Sequence, residues 1–347
     1  MIIGRYYIDH KSVVPKIVIG ALIALITIIP VFTTNLVTLS TIILSGIWAI
    51  AVMGFVLILR TGQFSLGQAA FMAIGGYVSA ILTVRMGIPY WPSFLAAGVF
   101  SGLVALAIGL VVLRAGGIYF SIITIAFGEI VRIVALNWES VTRGASGLLT
   151  KAPETITIGI FEIDFAAGAV PYYYFMLLLV TISALFYWQI DRTRIGGTFR
   201  SVAANSMLAE HLGIHLMKHR LIAFTVAGFF TGLAGSYYVT FLSVINPLIF
   251  DLWKSVQIMM MTIVGGMGSI VGGPIIGATL LYTLGIYLSR LPIPNIQYLV
   301  FGGVVVILLL LLPKGTGLVD QWGKLWRWIF GEPEDFQMPE DAGMDEE

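Results

Sequence analysis

Ten apolar stretches, most of them close to the length a helix needs to cross a bilayer, decide what this chain can fold into. They cover residues 17–34, 36–59, 65–84, 91–113, 118–136, 172–190, 221–242, 252–267, 270–289 and 296–312. About 20 helical residues span ~30 Å of hydrocarbon, and in lipid only helices or closed barrels satisfy their own backbone. A barrel would show alternating segments of about ten residues, and the sequence has none. The reading is an all-α polytopic membrane protein with about ten transmembrane helices. Composition agrees: 58% of residues are hydrophobic and 11% charged, against roughly 45–50% and 25% in soluble domains.

Basic residues give the orientation. With alternating crossings, thirteen of the nineteen lysines and arginines fall on one side, including Arg60, Arg114, Arg192, Arg194 and Arg200. Arg85, Arg143, Lys151, Lys254 and Arg290 fall on the other, and Arg132 lies within a span. The positive-inside rule therefore puts both termini in the cytosol. Residues 17–34 follow basic residues as a signal peptide would, but Phe32-Thr33-Thr34-Asn35 offers no small-x-small cleavage pattern, so a retained helix is expected. Residues 252–267 reach only about 24 Å and run into Gly265-Gly266-Met267-Gly268-Ser269 and Gly272-Gly273-Pro274. They read either as a full crossing or as a re-entrant hairpin. Both options leave the C-terminus cytosolic.

The remaining segments divide simply. Residues 1–16 form a cytosolic N-terminus ahead of a permeation domain over 17–313. An outer loop (137–171) and a cytosolic loop (191–219) interrupt that domain. Residues 314–330 place Trp322, Trp326 and Trp328 among Lys324 and Arg327, as an interfacial amphipathic segment would. Residues 331–347 form an acidic tail, expected to be disordered and solvating.

Chemistry is scarce. With no cysteine, thiol catalysis, disulfides and cysteine-ligated metals are excluded, and a net charge of +1 gives no reason to expect a nucleic-acid partner. Phosphate loop, His-Glu-x-x-His helix and nucleophile elbow are all missing, so no catalytic residue is assigned and the chain is not read as an enzyme. His211, His215 and His219 recur every four residues, but Gly213 interrupts the row and no acidic ligand flanks it, so they read as solvated or packing residues rather than a metal site. Deep in the spans stand Glu129 and Arg132, three apart and able to pair with each other. The alternative for them is a gate or substrate contact. Either way, an ion-driven carrier has few buried ionisable groups to work with.

Residues 201–212 can form one short amphipathic helix with Ala204, Met207, Leu208 and Leu212 on one face and Asn205, Ser206 and Glu210 elsewhere, ended by Gly213. The pattern alone leaves two fates open: lying on lipid or docking on a partner.

Four runs carry a resemblance. They are Thr61-Gly62-Gln63-Phe64-Ser65-Leu66-Gly67-Gln68-Ala69-Ala70-Phe71, the stretch from Ile118-Tyr119-Phe120-Ser121 through Thr124 to Gly128-Glu129-Ile130-Val131-Arg132, Leu212-Gly213-Ile214 leading to Gly232-Leu233-Ala234-Gly235, and Gly265-Gly266-Met267-Gly268-Ser269 through Gly277-Ala278. In this order they make the chain resemble the LivM-like permease subunits of ATP-binding-cassette importers for branched-chain amino acids, from the second span onward. The resemblance implies a complex in a prokaryotic cell (inner) membrane: a related second permease sharing the pathway, two cytosolic ATPases and an extracytoplasmic solute-binding protein. ATP and Mg would be used by the ATPases, with no cofactor bound by this chain. It further implies that Ala204, Met207, Leu208, Glu210, Leu212 and Gly213 belong to the ATPase-coupling segment, and that Trp138, Arg143, Lys151 and Glu154 lie on the docking loop for the binding protein. Candidate pathway residues are Gln63, Ser65, Gln68, Tyr119, Ser121, Thr124 and Glu129, with helix packing the alternative for each. The chain departs from the family at Gln68, commonly histidine, and at Ala203-Ala204-Asn205-Ser206, commonly an Arg-Glu-Asn/Asp-Glu cluster. Leucine, isoleucine and valine are the first choice of substrate, then urea or short amides, then other small apolar carboxylates. A stand-alone secondary carrier or channel is the reading from another class.

Overall fold

A computed structural model describes residue 30 and residues 35–158, 161–292 and 296–311. The N-terminal segment 1–16, the first expected span apart from Pro30, the interfacial segment and the acidic tail lie outside the described residues. The described helices are α1 (Leu36–Leu59), α2 (Gln68–Val84), α3 (Tyr90–Val112), α4 (Gly117–Asn137), a single turn α5 (Glu139–Thr142), α6 (Ala169–Arg192), α7 (Arg194–Ala204), α8 (Ser206–His211), α9 (Leu216–Leu242), α10 (Leu252–Gly265), α11 (Gly272–Ser289) and α12 (Ile296–Leu311). Four short strands decorate one end: β1 (Leu148–Leu149) pairs antiparallel with β4 (Val244–Ile245), and β2 (Ile156–Ile158) with β3 (Phe161–Ile163). Among the described residues, seven helical stretches are long and apolar enough to cross a membrane, so the protein is a helical, multi-pass membrane protein.

Helices that are apolar all round belong in the centre. The most apolar window of α1 is 83% buried and that of α9 78%, whereas that of α4 is 22% buried. The chain packs α2 and α3 against each other and against α9, sets α9, α6 and α11 on α1, and leaves α4 at the margin. Among lipid-soluble helices there is no hydrophobic drive to associate, and small residues that let backbones touch take its place. A Cβ at Gly75 would overlap the Gly232 carbonyl and one at Gly235 the Met72 carbonyl, so α2 and α9 meet backbone to backbone. Gly265 and Gly277 play the same part between α10 and α11. Gly235→Val should therefore cost about 1–3 kcal/mol or more by overpacking. In a detergent thermal melt its midpoint is expected to fall by several degrees, while Gly128→Val, which meets nothing within 4 Å, should melt like the parent.

Two irregular segments run into the bundle instead of along its surface. Between α1 and α2, Thr61, Gln63 and Ser65 are buried; between α9 and α10, so are Ile245, Pro247 and Phe250. Side chains satisfy part of this non-helical backbone, as they must away from water. Ser121 Oγ donates to the Phe64 carbonyl, Leu66 N–H to Thr124 Oγ1, and Leu248 N–H to Asn246 Oδ1. In consequence α2 and α10 both begin inside the protein. Their first turns touch, with Ala69 N–H donating to Ser255 Oγ at 3.2 Å. From there α10 runs to the end of the bundle where the Gly268 carbonyl accepts from Arg60. Its shortness reflects an irregular first portion of the traverse, a geometry the hydropathy pattern could not separate from a hairpin.

Candidate functional site

The sequence-expected pathway residues divide by helical phase. Ser121 and Thr124, three apart, share a face of α4 and hold the 63–67 segment, with Ser121 Oγ 2.6 Å from the Phe64 carbonyl and Thr124 Oγ1 3.0 Å from Leu66 N. Ser65 Oγ accepts from Gly67 N–H within that segment, and Gln68, the first residue of α2, accepts from Thr231 Oγ1 at 3.0 Å. Thus Ser65, Gln68, Ser121 and Thr124 come together, and Gln63 lies buried in the same loop. Tyr119 does not join them. Two residues from Ser121 is about 200° around a helix, and Tyr119 is 68% exposed. Glu129 lies two turns further along α4, where Arg132 clasps both its carboxylate oxygens, one through Nε at 2.9 Å. Both partners stay partly open, with side-chain exposures of 43% for Glu129 and 23% for Arg132.

Sequence reasoning missed the start of α10. Asp251 caps that helix through Lys254 N–H (3.1 Å) and lies within electrostatic reach of Arg132 and Lys254. Lys254, expected on the outer side at the start of the 252–267 stretch, sets its ammonium 5.5 Å from the ring centre of Trp48, half-way along α1. The available signal was an acidic N-cap ahead of a run too short for a full helical crossing.

At the end of the bundle where α1 stops, Asp191 joins three elements. It pairs with Arg60 after α1 and, at 2.8 Å, with Arg200 on α7, while Arg60 also donates to the Gly268 carbonyl between α10 and α11. The neighbouring segment corrects the single helix expected over 201–212: α7 stops at Ala204, and Asn205 restarts the chain as α8 by accepting from Leu208 N–H. Asparagine bonds its own backbone and so favours a cap over a helix interior. Ala204 and Glu210 are exposed, as are Met207 (71%), Leu208 (56%) and Leu212 (74%), and Gly213 closes the turn at φ +82°. The histidine row is split there: His211 ends α8, His215 precedes α9, and His219 packs against Phe199.

Trp138, Arg143, Lys151 and Glu154 are all exposed at the opposite end of the bundle. Thr142 Oγ1 ties their loop to the Ala135 carbonyl, and β1 ties it to β4. Glu154 accepts from Tyr90 N–H at 2.7 Å, placing a carboxylate on the N-terminus of α3, where it stabilises the helix dipole.

Residues 37–309 match the family described as branched-chain amino acid transport system, permease component. The high-affinity branched-chain amino acid transport system permease protein LivM of Escherichia coli K12 is 27% identical over 328 residues, covering 89% of this chain and 76% of that protein. LivM of Salmonella typhimurium is also 27% identical, over 74% of this chain and 64% of its own length. The ribose import permease protein RbsC of Escherichia coli K12 is 24% identical over 89% of this chain and 96% of its own. No solved structure matches the chain. With nearly four-fifths of its length matched by the family, the chain belongs to the branched-chain amino acid transport permease family.

Proposed function

We propose that this chain is one of two related permeases of an ATP-binding-cassette importer. A solute-binding protein delivers leucine, isoleucine or valine, and two cytosolic ATPases drive transport. The observation that carries the reading is the exposed apolar edge of Met207, Leu208 and Leu212, beyond the end of the bundle and next to the Arg60–Asp191–Arg200 cluster. Large apolar side chains grouped at such a place mark a protein contact, and the ATPases are the partners that supply force. The second permease is supported by α4. A charged pair on a helix facing lipid is costly, so the partly open Glu129–Arg132 side calls for another subunit or a water-filled path. Ser121 and Thr124 on the inner face of that helix, with Ser65 and Gln68 behind them, line the path. Trp138, Arg143, Lys151 and Glu154 form the landing surface for the binding protein. ATP and Mg belong to the ATPases. LivM relatives favour branched-chain amino acids, and the ribose permease among the relatives makes substrate choice the point to test.

Labelled leucine uptake into proteoliposomes, with this chain, its sister permease, the ATPases and the binding protein, tests the proposal directly. Accumulation should require every component and ATP. Uptake by this chain alone, without ATP, would establish a carrier or channel instead, and uptake of urea or an amide in place of leucine would move the substrate.

Ten spans, with both termini cytosolic, complete the reading. Because the chain has no cysteine, single cysteines at Arg143 and at Met207 are direct reporters. An impermeant maleimide should label the first only from outside the cell and the second only from inside; the reverse result inverts the topology.

A further inference from the structure

We infer that the junction of α2 and α10 is a carboxylate-binding station on the solute's path, with Lys254 as the residue that holds the carboxylate. The inference rests on the importer reading above and assigns it a substrate contact. Three independent features meet there.

The first is Lys254 itself. Its ammonium lies over Trp48 in the middle of α1, and Asp251 lies within electrostatic reach without closing a salt bridge to it. A partly buried ammonium is best compensated by a close counter-charge, and an aromatic face supplies only part of that.

The second is the meeting of two helix starts. The first turns of α2 and α10 touch through Ala69 N–H and Ser255 Oγ. Helix N-termini carry a partial positive charge; here Ala69 N–H is taken by Ser255 Oγ and Lys254 N–H by Asp251, so that charge, rather than free N–H groups, is what a ligand meets. Two of them arising from broken backbone inside a membrane bundle form a place for an anionic group.

The third is the sign of what is left unpaired. Gln68 and Trp48 are both buried, and Gln68 Nε2 and Trp48 Nε1 have no acceptor. With Lys254 Nζ these are donors, while the buried Gln63 Oε1 in the loop before α2 is an unpaired acceptor, so the ligand they suit is mainly acceptor-rich and also carries a donor. A carboxylate meets the first requirement, and a sugar hydroxyl meets it poorly. Opposite sign is close by. Asp251 caps α10, and Glu129 pairs with Arg132 on the neighbouring helix. The four charged side chains Glu129, Arg132, Asp251 and Lys254 sum to zero, which matches a zwitterion better than a simple anion. Of the four, Glu129 and Arg132 engage each other and Asp251 engages a backbone N–H. Lys254 is the one free to receive a ligand.

The cysteine-free chain permits a test that restores the charge chemically. In the full complex, Lys254→Cys should lower leucine uptake about tenfold or more, the effect of losing one charge-assisted contact. Treatment with 2-aminoethyl methanethiosulfonate, which rebuilds an ammonium of similar length, should recover most of it. The neutral ethyl reagent should not. The untouched parent complex, treated in parallel, accounts for thiols on the partners. ATP hydrolysis stimulated by loaded binding protein should stay within about twofold of the parent, because the ATPase-facing end is unaltered. Full uptake by Lys254→Cys, or equal recovery with both reagents, overturns the station alone. If the parent complex imports only solutes that lack a carboxylate, the substrate assignment and the station fall together.

Discussion

Leu208→Arg combined with Leu212→Arg is expected to abolish ATP-driven uptake while leaving the chain folded in the membrane. Both side chains are more than half exposed and contact little within the protein, so the bundle loses almost nothing when they change. Their partner would lose much more. Two guanidinium groups placed in an apolar groove must be desolvated without counter-charges, and the contact residues at the centre of such an interface each contribute about 2 kcal/mol or more. Together that is a loss of at least roughly a thousandfold in affinity. Co-purification of the ATPases on a tagged permease should fail, and uptake should drop to background. Persistence of both would show that this edge lies on lipid and that force enters elsewhere.

A second large effect is expected at Asp191. Its carboxylate is shared by Arg60 and Arg200, and Arg60 reaches on to the Gly268 carbonyl, so one acidic group connects the α6–α7 corner, the end of α1 and the α10–α11 turn. Asp191→Asn removes the negative charge between two arginines. A fully buried pair broken in this way costs ~3–5 kcal/mol; with Arg60 13% and Asp191 22% exposed, about 1–3 kcal/mol is the expected cost after screening. The functional effect should be larger than the stability effect, because the link runs between the ATPase-facing segment and α10. Uptake should fall about tenfold or more while ATP hydrolysis continues, and the exchange Arg60→Asp with Asp191→Arg should recover part of the coupling. Parallel loss of both activities would instead mark a purely structural clamp.

The amino-acid pattern is informative about this fold where the physics of lipid leaves little choice. Length and apolarity place α1, α3, α4, α6, α9 and α11, since only a helix hides its backbone there. The glycines at 232, 235, 265 and 277 stand out within their apolar runs because close packing in lipid needs them. What hydropathy cannot read is depth. Lys254 looks like an outer-side lysine, because a charge at the start of an apolar run is usually at the surface; only the tertiary path of residues 243–251 carries it inward. Proximity in sequence groups Tyr119 with Ser121, although a 100° step per residue already sets them on different sides of α4. The break at Asn205 is also visible in principle, as an N-cap residue inside an amphipathic stretch, but the apolar spacing of Ala204, Leu208 and Leu212 runs across it.

The cluster of Glu129, Arg132, Asp251 and Lys254 also bears on the energetics of a membrane held at a potential. Each elementary charge carried across the full field at 100 mV exchanges about 2.3 kcal/mol, enough to tie a moving part to voltage. Two positive and two negative groups travelling together carry no net gating charge. A zwitterion seated among them adds none. Rearrangement around the start of α10 would then do no electrical work, and in the proposed importer the direction of transport would be left to ATP.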